Sequence, residues 1–224
     1  MIDTIIISGG NIQNGFALDF LKKRIKEGGR ESLALVAADS GMEWFMRNRE
    51  FIPDLAVGDF ASLSAEGKEY MESLNGLKII RLKPEKDDSD TQSAMNYAIQ
   101  NGAKRITILG ATGNRVDHLM ANFGLLVLAK NQGVEVILAD QYNYMKLVSD
   151  GEIIKKSEQF GKYISFFPLG GDVTGLTLEG FKYSLDHYRL TTADSGLTVS
   201  NEIVSEKAKV TYQSGTLLMI MSRD

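Results

Sequence analysis

Apolar residues are arranged in two different ways along the chain. Up to residue 142, short runs rich in Ile, Val and Leu alternate with segments whose apolar residues recur at helical spacing. Such runs are typical of strands buried on both faces of a parallel sheet that helices cover. The predicted strands are residues 4–7, 33–37, 55–57, 78–82, 105–109 and 135–138, and the predicted helices are centred on residues 16–25, 42–46, 94–99 and 118–129.

The remaining chain has a different pattern. Residues 163–167, 174–178, 198–203, 207–212 and 216–221 are short and rich in β-formers, and turn residues such as Gly170-Gly171-Asp172 and Ser214-Gly215 separate them. Short strands divided by such turns are typical of an antiparallel sandwich. We therefore predict an α/β domain with a parallel sheet over residues 1–142, followed by a small antiparallel β-sandwich domain over residues 143–224.

Composition narrows the possible chemistry. The chain has 224 residues and no cysteine, which excludes disulfides, thiolate metal sites and a cysteine nucleophile. Its net charge of −4 argues against a nucleic-acid-binding protein. The apolar run at residues 121–129 is far shorter than the ~20 residues of a membrane span. No basic segment precedes the first strand, so we expect no signal peptide, no membrane association and a cytoplasmic location.

Polar residues follow five of the predicted parallel strands, at the point where each strand ends. Open parallel sheets bind ligands beyond the carboxyl ends of their strands, so these segments are expected to form one site. The segments are Ser8-Gly9-Gly10, Asp39-Ser40-Gly41, Gly58-Asp59, residues 83–91 and residues 110–118.

The acidic segment around residue 88 is expected to bind a cation. Asp87 and Asp90 are three residues apart at a predicted helix start, a spacing that places both carboxylates on one helix face. Helix capping by Asp88 or Ser89 accounts for one or two of these polar residues, but not for several acids. Carboxylates that converge with Asp59 would repel one another without a cation. Hard oxygen ligands suit Mg²⁺ carrying the phosphates of a nucleotide.

The segment over residues 110–118 is expected to approach phosphate. Its glycines allow close backbone approach, and the Arg115 guanidinium is suited to a phosphoryl oxygen. The alternative is an ordinary glycine loop with Asp117 at the start of the next helix. No chemistry is assigned to His118. The sequence contains no GxxxxGK[ST] motif, so a P-loop site is not expected.

These motifs, in this order, resemble those of the thiamine pyrophosphokinase family. The chain reads ADSG, PDLAVGDFAS, KDDSD, GATGNRVDHLMAN and SNE where the family has DxG, PDxxxGDFDS, KDxTD, GxxGxRxDHxLxN and SNE. The resemblance covers nearly the whole chain. It implies an ATP-binding α/β domain, a thiamine-binding β-sandwich, and transfer of pyrophosphate from ATP to the hydroxyl of thiamine, giving thiamine pyrophosphate and AMP.

The resemblance also implies roles for individual residues and for a partner. It implies a homodimer with thiamine bound at the subunit interface, and Mg²⁺ as the metal. The implied catalytic residues are Asp59, Asp87, Asp90, Arg115 and Asp117, of which Asp59, Asp87 and Asp90 hold the metal. The implied nucleotide-binding residues are Gly9, Asp39, Ser40, Gly41, Gly110, Thr112, Gly113 and Arg115, and the implied thiamine-binding residues are Ser195, Ser200 and Asn201.

One position departs from the family pattern. The second acid of GDFDS is Ala61 here, and a methyl group cannot bind a metal. Asp88 or a water takes its place, or activity is reduced. The alternatives to a thiamine pyrophosphokinase are a pyrophosphokinase for another alcohol, such as a pterin, and a non-catalytic sensor of thiamine or nucleotide.

Overall fold

The computed structural model describes residues 3–83, 85, 87–113, 115–194 and 196–224. The chain divides after Gln141 into two compact units. None of the helices within the described ranges is long and apolar enough to cross a membrane.

The first unit contains a six-stranded parallel sheet, as far as the described residues show. Its strand order is β4-β3-β2-β1-β5-β6, so the chain starts in the middle and the sheet grows to both sides. The central strand is apolar and fully buried from Ile5 to Ile7, because helices cover both faces of a parallel sheet. The strands are β1 (Asp3–Ile7), β2 (Leu33–Ala38), β3 (Leu55–Gly58), β4 (Lys78–Arg81), β5 (Arg105–Leu109) and β6 (Glu135–Ala139).

The helices of this unit connect successive strands. Serine side chains cap two of them: Ser64 accepts a hydrogen bond from the Gly67 amide, and Ser89 accepts one from the Gln92 amide. Such caps satisfy amides that have no partner inside the helix. The helices are α1 (Asn14–Gly28), α2 (Met42–Arg47), α3 (Ala65–Ser73), α4 (Asp90–Gln100) and α5 (Val116–Lys130).

The second unit is a β-sandwich. One antiparallel sheet has the order β7-β13-β9 and the other has the order β11-β10-β12-β8. Phe166 and Met219 from the first sheet and Leu176 and Val210 from the second belong to one buried cluster. The strands are β7 (Asn143–Val148), β8 (Glu152–Lys155), β9 (Tyr163–Pro168), β10 (Val173–Glu179), β11 (Leu185–Leu190), β12 (Lys207–Thr211) and β13 (Leu217–Ser222).

The predicted fold class is confirmed, but some of the predicted elements are wrong. Residues 198–203 do not form a strand. Ser200 has a φ of 56°, which interrupts an extended chain, and only isolated bridges join Asn201 to Ile164 and Ile203 to Phe181. The sequence pattern also missed α3, β7, β8 and β11, which are short or carry mainly polar residues.

Candidate active site

Three carboxylates meet where strands β2 and β3 end. Asp39 follows β2, Asp59 follows β3, and Asp90 is the first residue of α4. Each offers a carboxylate oxygen that lies within 4.8 Å of those of the other two. We call these residues the acidic cluster.

The position of Asp90 is fixed by contacts of the first turn of α4. The helix packs against β1, β2 and β3. In its first turn, the Thr91 hydroxyl lies 2.7 Å from the hydroxyl of Ser8 at the end of β1. Ser89, the residue before Asp90, caps the helix through its side chain. The N-terminus of α4 is therefore held over the ends of the neighbouring strands, and its partial positive charge attracts anions.

Asp39 is held in an uncommon conformation. Its φ is 47°, a region that non-glycine residues seldom adopt. A Cβ at Gly58 would lie only 2.9 Å from the Asp39 Cα, so the missing side chain of Gly58 lets the ends of β2 and β3 approach each other. The Ser62 hydroxyl donates a hydrogen bond to Asp39 Oδ2. Asp39 Oδ1 is buried and has no hydrogen-bond partner among the described residues.

The turn after β3 fixes Asp59. The Ala61 amide donates a hydrogen bond of 2.8 Å to Asp59 Oδ1. Between these two residues, Phe60 is fully buried and has a φ of 57°. Strained backbone of this kind costs about 1–3 kcal/mol and persists where the surroundings enforce it, most often at functional sites. Asp39 is itself strained, and the strained Phe60 directly follows Asp59. Two of the three residues of the acidic cluster therefore lie in or beside strained backbone.

Like charges lie close together in the acidic cluster. Two unit charges about 5 Å apart repel by about 3 kcal/mol at an effective dielectric constant of about 20. A bound divalent cation would reverse the sign of this interaction, and it would give the unpartnered Asp39 Oδ1 a partner. Carboxylate oxygens are the donors that Mg²⁺ prefers. The residues present therefore fit the magnesium ion that the family resemblance implies.

Asp87 lies outside the acidic cluster. Its side chain is exposed, and α4 begins only at Asp90, so the expectation that both carboxylates share one helix face is wrong. Asp88 has other partners, because it accepts hydrogen bonds from the side-chain amides of Gln92 at 2.6 Å and Asn96 at 3.3 Å. Neither acid belongs to the acidic cluster.

The predicted nucleotide-binding glycines lie at the ends of β1, β2 and β5. Gly110 has a φ of 76°, and a Cβ there would lie 2.5 Å from the Ser8 carbonyl oxygen. The Gly10 amide donates to the Gly110 carbonyl at 3.1 Å. The strand ends therefore pack backbone to backbone. Gly9 is exposed, Ser40, Thr112 and Gly113 are half-buried, and Gly41 is buried beside the carbonyl of Ile7.

Arg115 and Asp117 form an exposed ion pair at the start of α5. The guanidinium donates two hydrogen bonds, from Nε to Asp117 Oδ1 at 3.1 Å and from a terminal nitrogen to Oδ2 at 2.6 Å. These bonds, together with the His118 amide, hold the pKa of Asp117 below its usual range. In the free protein, Asp117 is therefore a weak proton acceptor.

The predicted thiamine-binding residues of the second unit differ in whether their polar groups are available to a ligand. Asn201 is 1% exposed. Its Oδ1 accepts from the amides of Tyr183 at 3.0 Å and Glu202 at 2.9 Å, and its Nδ2 donates to the Tyr183 carbonyl at 2.7 Å. Ser200 is exposed, and its amide donates to Ser165 Oγ. Asn201 therefore holds the backbone that presents Ser200.

Ser195 lies outside the described residues. Its neighbour Asp194 is anchored by three donors: the Thr191 amide at 2.7 Å, the Thr191 hydroxyl at 2.8 Å and the Tyr188 hydroxyl at 2.9 Å. The Thr191 amide is the largest of the causes that lower the pKa of Asp194.

Two positioning residues were missed by sequence reasoning. Ser62 holds Asp39 by the hydrogen bond described above. Asn122 is buried, and its Nδ2 donates to the Ala111 carbonyl at 2.8 Å, which fixes the loop after β5. The signal for Asn122 was its place as the last residue of the GATGNRVDHLMAN motif, on the otherwise apolar part of α5.

Two family models match the chain, one in each unit. Residues 29–138 match the catalytic domain of thiamin pyrophosphokinase, and residues 151–217 match its vitamin B1 binding domain. A match to a vitamin B1 binding domain favours thiamine over a pterin as the acceptor. The match to the catalytic domain favours an enzyme over a sensor.

Individual relatives agree with the family models. Thiamine pyrophosphokinase of Bacillus subtilis is 32% identical over 173 residues, which are 77% of this chain and 80% of that protein. The crystal structure of thiamine pyrophosphokinase from Bacillus subtilis matches with a TM-score of 0.83, 28% identity and 99% of both chains covered. That of a thiamin pyrophosphokinase family protein from Enterococcus faecalis matches with a TM-score of 0.79 and 30% identity over the full length of both chains. The chain therefore belongs to the thiamine pyrophosphokinase family.

Proposed function

We propose that this enzyme transfers pyrophosphate from ATP to thiamine in a magnesium-dependent reaction at the acidic cluster. The observation that carries the proposal is the convergence of carboxylate oxygens from Asp39, Asp59 and Asp90 within 4.8 Å of one another. In the reaction, the hydroxyl oxygen of thiamine bonds to the β-phosphorus of ATP. The bond from that phosphorus to the oxygen bridging to the α-phosphate breaks, and AMP leaves with the electron pair.

Asp59 and Asp90 are the proposed magnesium ligands. Asp87, in the loop before α4, is proposed as a further ligand. Bound magnesium would neutralise the triphosphate and the charge that develops on departing AMP. The protein's contribution is to hold the phosphates and the acceptor in line. Gly9, Ser40, Gly41 and the loop from Gly110 through Thr112 to Gly113 are the proposed nucleotide contacts, since they occupy the carboxyl ends of the strands around the acidic cluster.

Arg115 is proposed to exchange its partner when ATP binds. In the free protein its guanidinium is paired with Asp117. A phosphate oxygen would compete for the same donors and release the Asp117 carboxylate. Release raises the pKa of Asp117, because the bonds from Arg115 are the main cause of its depression. Asp117 and Asp87 are the two candidates for accepting the proton of the thiamine hydroxyl.

Thiamine is proposed to bind against Ser200, which Asn201 supports, with Ser195 as a further contact. We propose that the enzyme is a homodimer. We also propose that it is located in the cytoplasm, where ATP is supplied. Exposed apolar side chains surround Ser200 in sequence, namely Leu197, Val199 and Val204. Apolar surface of this kind is typical of an interface. A subunit partner that supplies the acidic cluster of its own first unit would complete the site.

Product analysis tests the reaction. The purified chain is incubated with thiamine, ATP and MgCl₂, and the products are separated by chromatography. We expect thiamine pyrophosphate and AMP in equal amounts, and none without the metal. ADP with thiamine monophosphate would overturn the reaction type, and preference for a pterin alcohol would overturn the acceptor. Tight binding of both ligands without turnover would indicate a sensor.

Mixing two inactive variants tests the homodimer. Asp59→Asn removes a carboxylate from the first unit, and Ser200→Ala removes a hydroxyl from the second. If each site combines units of different subunits, exchange between the two variants restores about a quarter of the sites, because half of the dimers are mixed and each has one intact site. Absence of recovery after confirmed subunit exchange would contradict the shared site.

A further inference from the structure

We infer that Glu43 is a positioning residue, whose carboxylate anchors the far end of the loop that carries Asp59. This loop joins β3 to α3 over residues 59–64, and we call it the Asp59 loop. The inference rests on the proposed magnesium-dependent function, since it concerns how a proposed metal ligand is held. Glu43 lies outside all of the motifs that carry the family resemblance.

The Glu43 carboxylate reaches the Asp59 loop from a different helix. Glu43 lies in the first turn of α2, and its Oε1 accepts a hydrogen bond of 2.8 Å from the Ser64 amide. Ser64 is the N-cap of α3, and its own hydroxyl accepts a hydrogen bond of 2.9 Å from the Gly67 amide. A carboxylate is a stronger acceptor than a neutral oxygen, and the partial positive charge at the start of α3 favours it further. Glu43 therefore ties the last residue of the Asp59 loop to α2.

The packing of α3 leaves room for this contact. Gly67 is buried, and a Cβ at that position would lie 2.7 Å from Glu43 Oε1 and 2.8 Å from a methyl group of Leu63. Within a helix, glycine is less favourable than alanine by about 1 kcal/mol. The glycine at position 67 thus lowers helix propensity, and its missing side chain lets the carboxylate approach the start of α3.

The anchor matters because the Asp59 loop is held in a strained conformation. Phe60 is fully buried with a φ of 57°, and the next amide, that of Ala61, donates to Asp59 Oδ1. Such backbone persists only where several contacts enforce it. Glu43 supplies one of these contacts at the end of the loop opposite Asp59. Without it the loop can relax, while a metal site needs its ligands held to within about 0.5 Å.

The experiment compares three variants of the full-length chain. Glu43→Ala removes the acceptor of the Ser64 amide. Glu43→Gln keeps a side-chain oxygen for the same hydrogen bond and should therefore behave nearly as the unaltered chain does. Glu66→Ala is the matched control, because it removes an equal charge from an exposed position in the first turn of α3.

Two readouts distinguish positioning from a role in stability alone. The first is the free Mg²⁺ concentration that gives half-maximal pyrophosphate transfer at saturating thiamine and ATP. Glu43→Ala should raise it about three- to tenfold, less than the roughly 10–100-fold expected on losing a group bonded directly to a metal ligand. The KM for thiamine should stay unchanged. The second is amide hydrogen exchange by NMR, which requires no turnover, and here the Ala61 amide should exchange faster in Glu43→Ala.

The outcomes separate this inference from the proposed function. Faster exchange at Ser64 alone, with exchange at Ala61 and the Mg²⁺ dependence unchanged, would confine Glu43 to stabilising α3 and overturn the inference. Equal effects of Glu66→Ala would also overturn it, because charge at the helix start would then be the cause. Faster exchange at Ala61 in a chain that forms no thiamine pyrophosphate would uphold the anchor and contradict the function.

A further variant tests the same contact from the other side. Gly67→Ala places a Cβ against the Glu43 carboxylate, so it should shift both readouts in the same direction as Glu43→Ala does. It also supplies the test if Glu43→Ala fails to fold. Unchanged readouts in Gly67→Ala, with the hydrogen bond from the Ser64 amide shown by NMR to be lost, would overturn the inference.

Discussion

The acidic cluster and the Asn201 region both carry motif residues, but they differ in what their polar groups already bind. In the acidic cluster, like charges stand within 4.8 Å of one another and Asp39 Oδ1 has no partner among the described residues. In the second unit, Asn201 uses both of its side-chain polar atoms to hold Tyr183 and Glu202. A motif residue can therefore bind a ligand directly where its polar groups are left available, and it stabilises the fold where those groups are already bonded.

The largest effect should come from the acidic cluster. Asp59→Asn should lower kcat/KM for pyrophosphate transfer by about 10²–10³-fold or more, because it removes a charge that holds the metal and its phosphates. The free energy of unfolding, measured with urea, should stay unchanged or rise, since the substitution relieves repulsion. A loss of stability that matches the loss of activity would show that Asp59 stabilises the fold instead of binding the metal.

In the second unit, substitution of a motif residue is expected to lower the stability of the fold. Asn201→Ala leaves the Tyr183 and Glu202 amides without their acceptor, and a buried unsatisfied donor costs about 1–3 kcal/mol. Urea unfolding should show this loss, and the KM for thiamine should rise because Ser200 is no longer held. Asn131→Ala, at an exposed position after α5, is the control and should change neither value. Normal stability of Asn201→Ala with lost thiamine binding would make Asn201 a direct ligand.

A smaller effect is expected where backbone packing supports the acidic cluster. Gly58→Ala places a Cβ 2.9 Å from the Asp39 Cα, and the resulting shift should cost about 1–2 kcal/mol of stability. It should also weaken binding of Mn²⁺, used as a probe for Mg²⁺, because the Asp39 carboxylate of the acidic cluster moves. Gly124→Ala is the matched control: its Cβ meets nothing within 4 Å inside α5, so it should raise stability by up to about 1 kcal/mol.

The smallest effect concerns the exposed ion pair at the start of α5. Arg115→Ala removes the hydrogen bonds that favour the ionised form of Asp117, so the pKa of Asp117 should rise toward its ordinary value. A carbon-13 NMR titration of the carboxyl group measures this shift. Stability at neutral pH should not change measurably, since exposed ion pairs contribute little. An unaltered pKa would show that the pair does not persist in solution.

The sequence was informative wherever a local pattern determined the structure. The Ile- and Val-rich runs predicted the parallel strands, because burial on both faces requires apolar residues at every position. The polar segments after them predicted where Asp39, Asp59 and Asp90 lie. The pattern failed at residues 198–203, where β-forming side chains suggested a strand and the φ of Ser200 excludes one.

The composition of the acidic cluster could not be read from spacing. Asp87 and Asp90 are close in sequence, yet the Ser89 cap starts α4 at Asp90 and leaves Asp87 before the helix. Asp39 and Asp59 are distant in sequence and meet because β2 and β3 are neighbours in the sheet. The helix starts three residues after Asp87, and the order of the strands is a long-range outcome of packing that a single sequence pattern does not encode.

Anomalous diffraction from a crystal soaked with Mn²⁺ tests the central claim most directly. We expect one manganese peak at the acidic cluster, within about 2.5 Å of carboxylate oxygens from Asp59 and Asp90. A manganese peak bound by neither Asp59 nor Asp90, or no peak at the ends of β2 and β3, would contradict the proposed site.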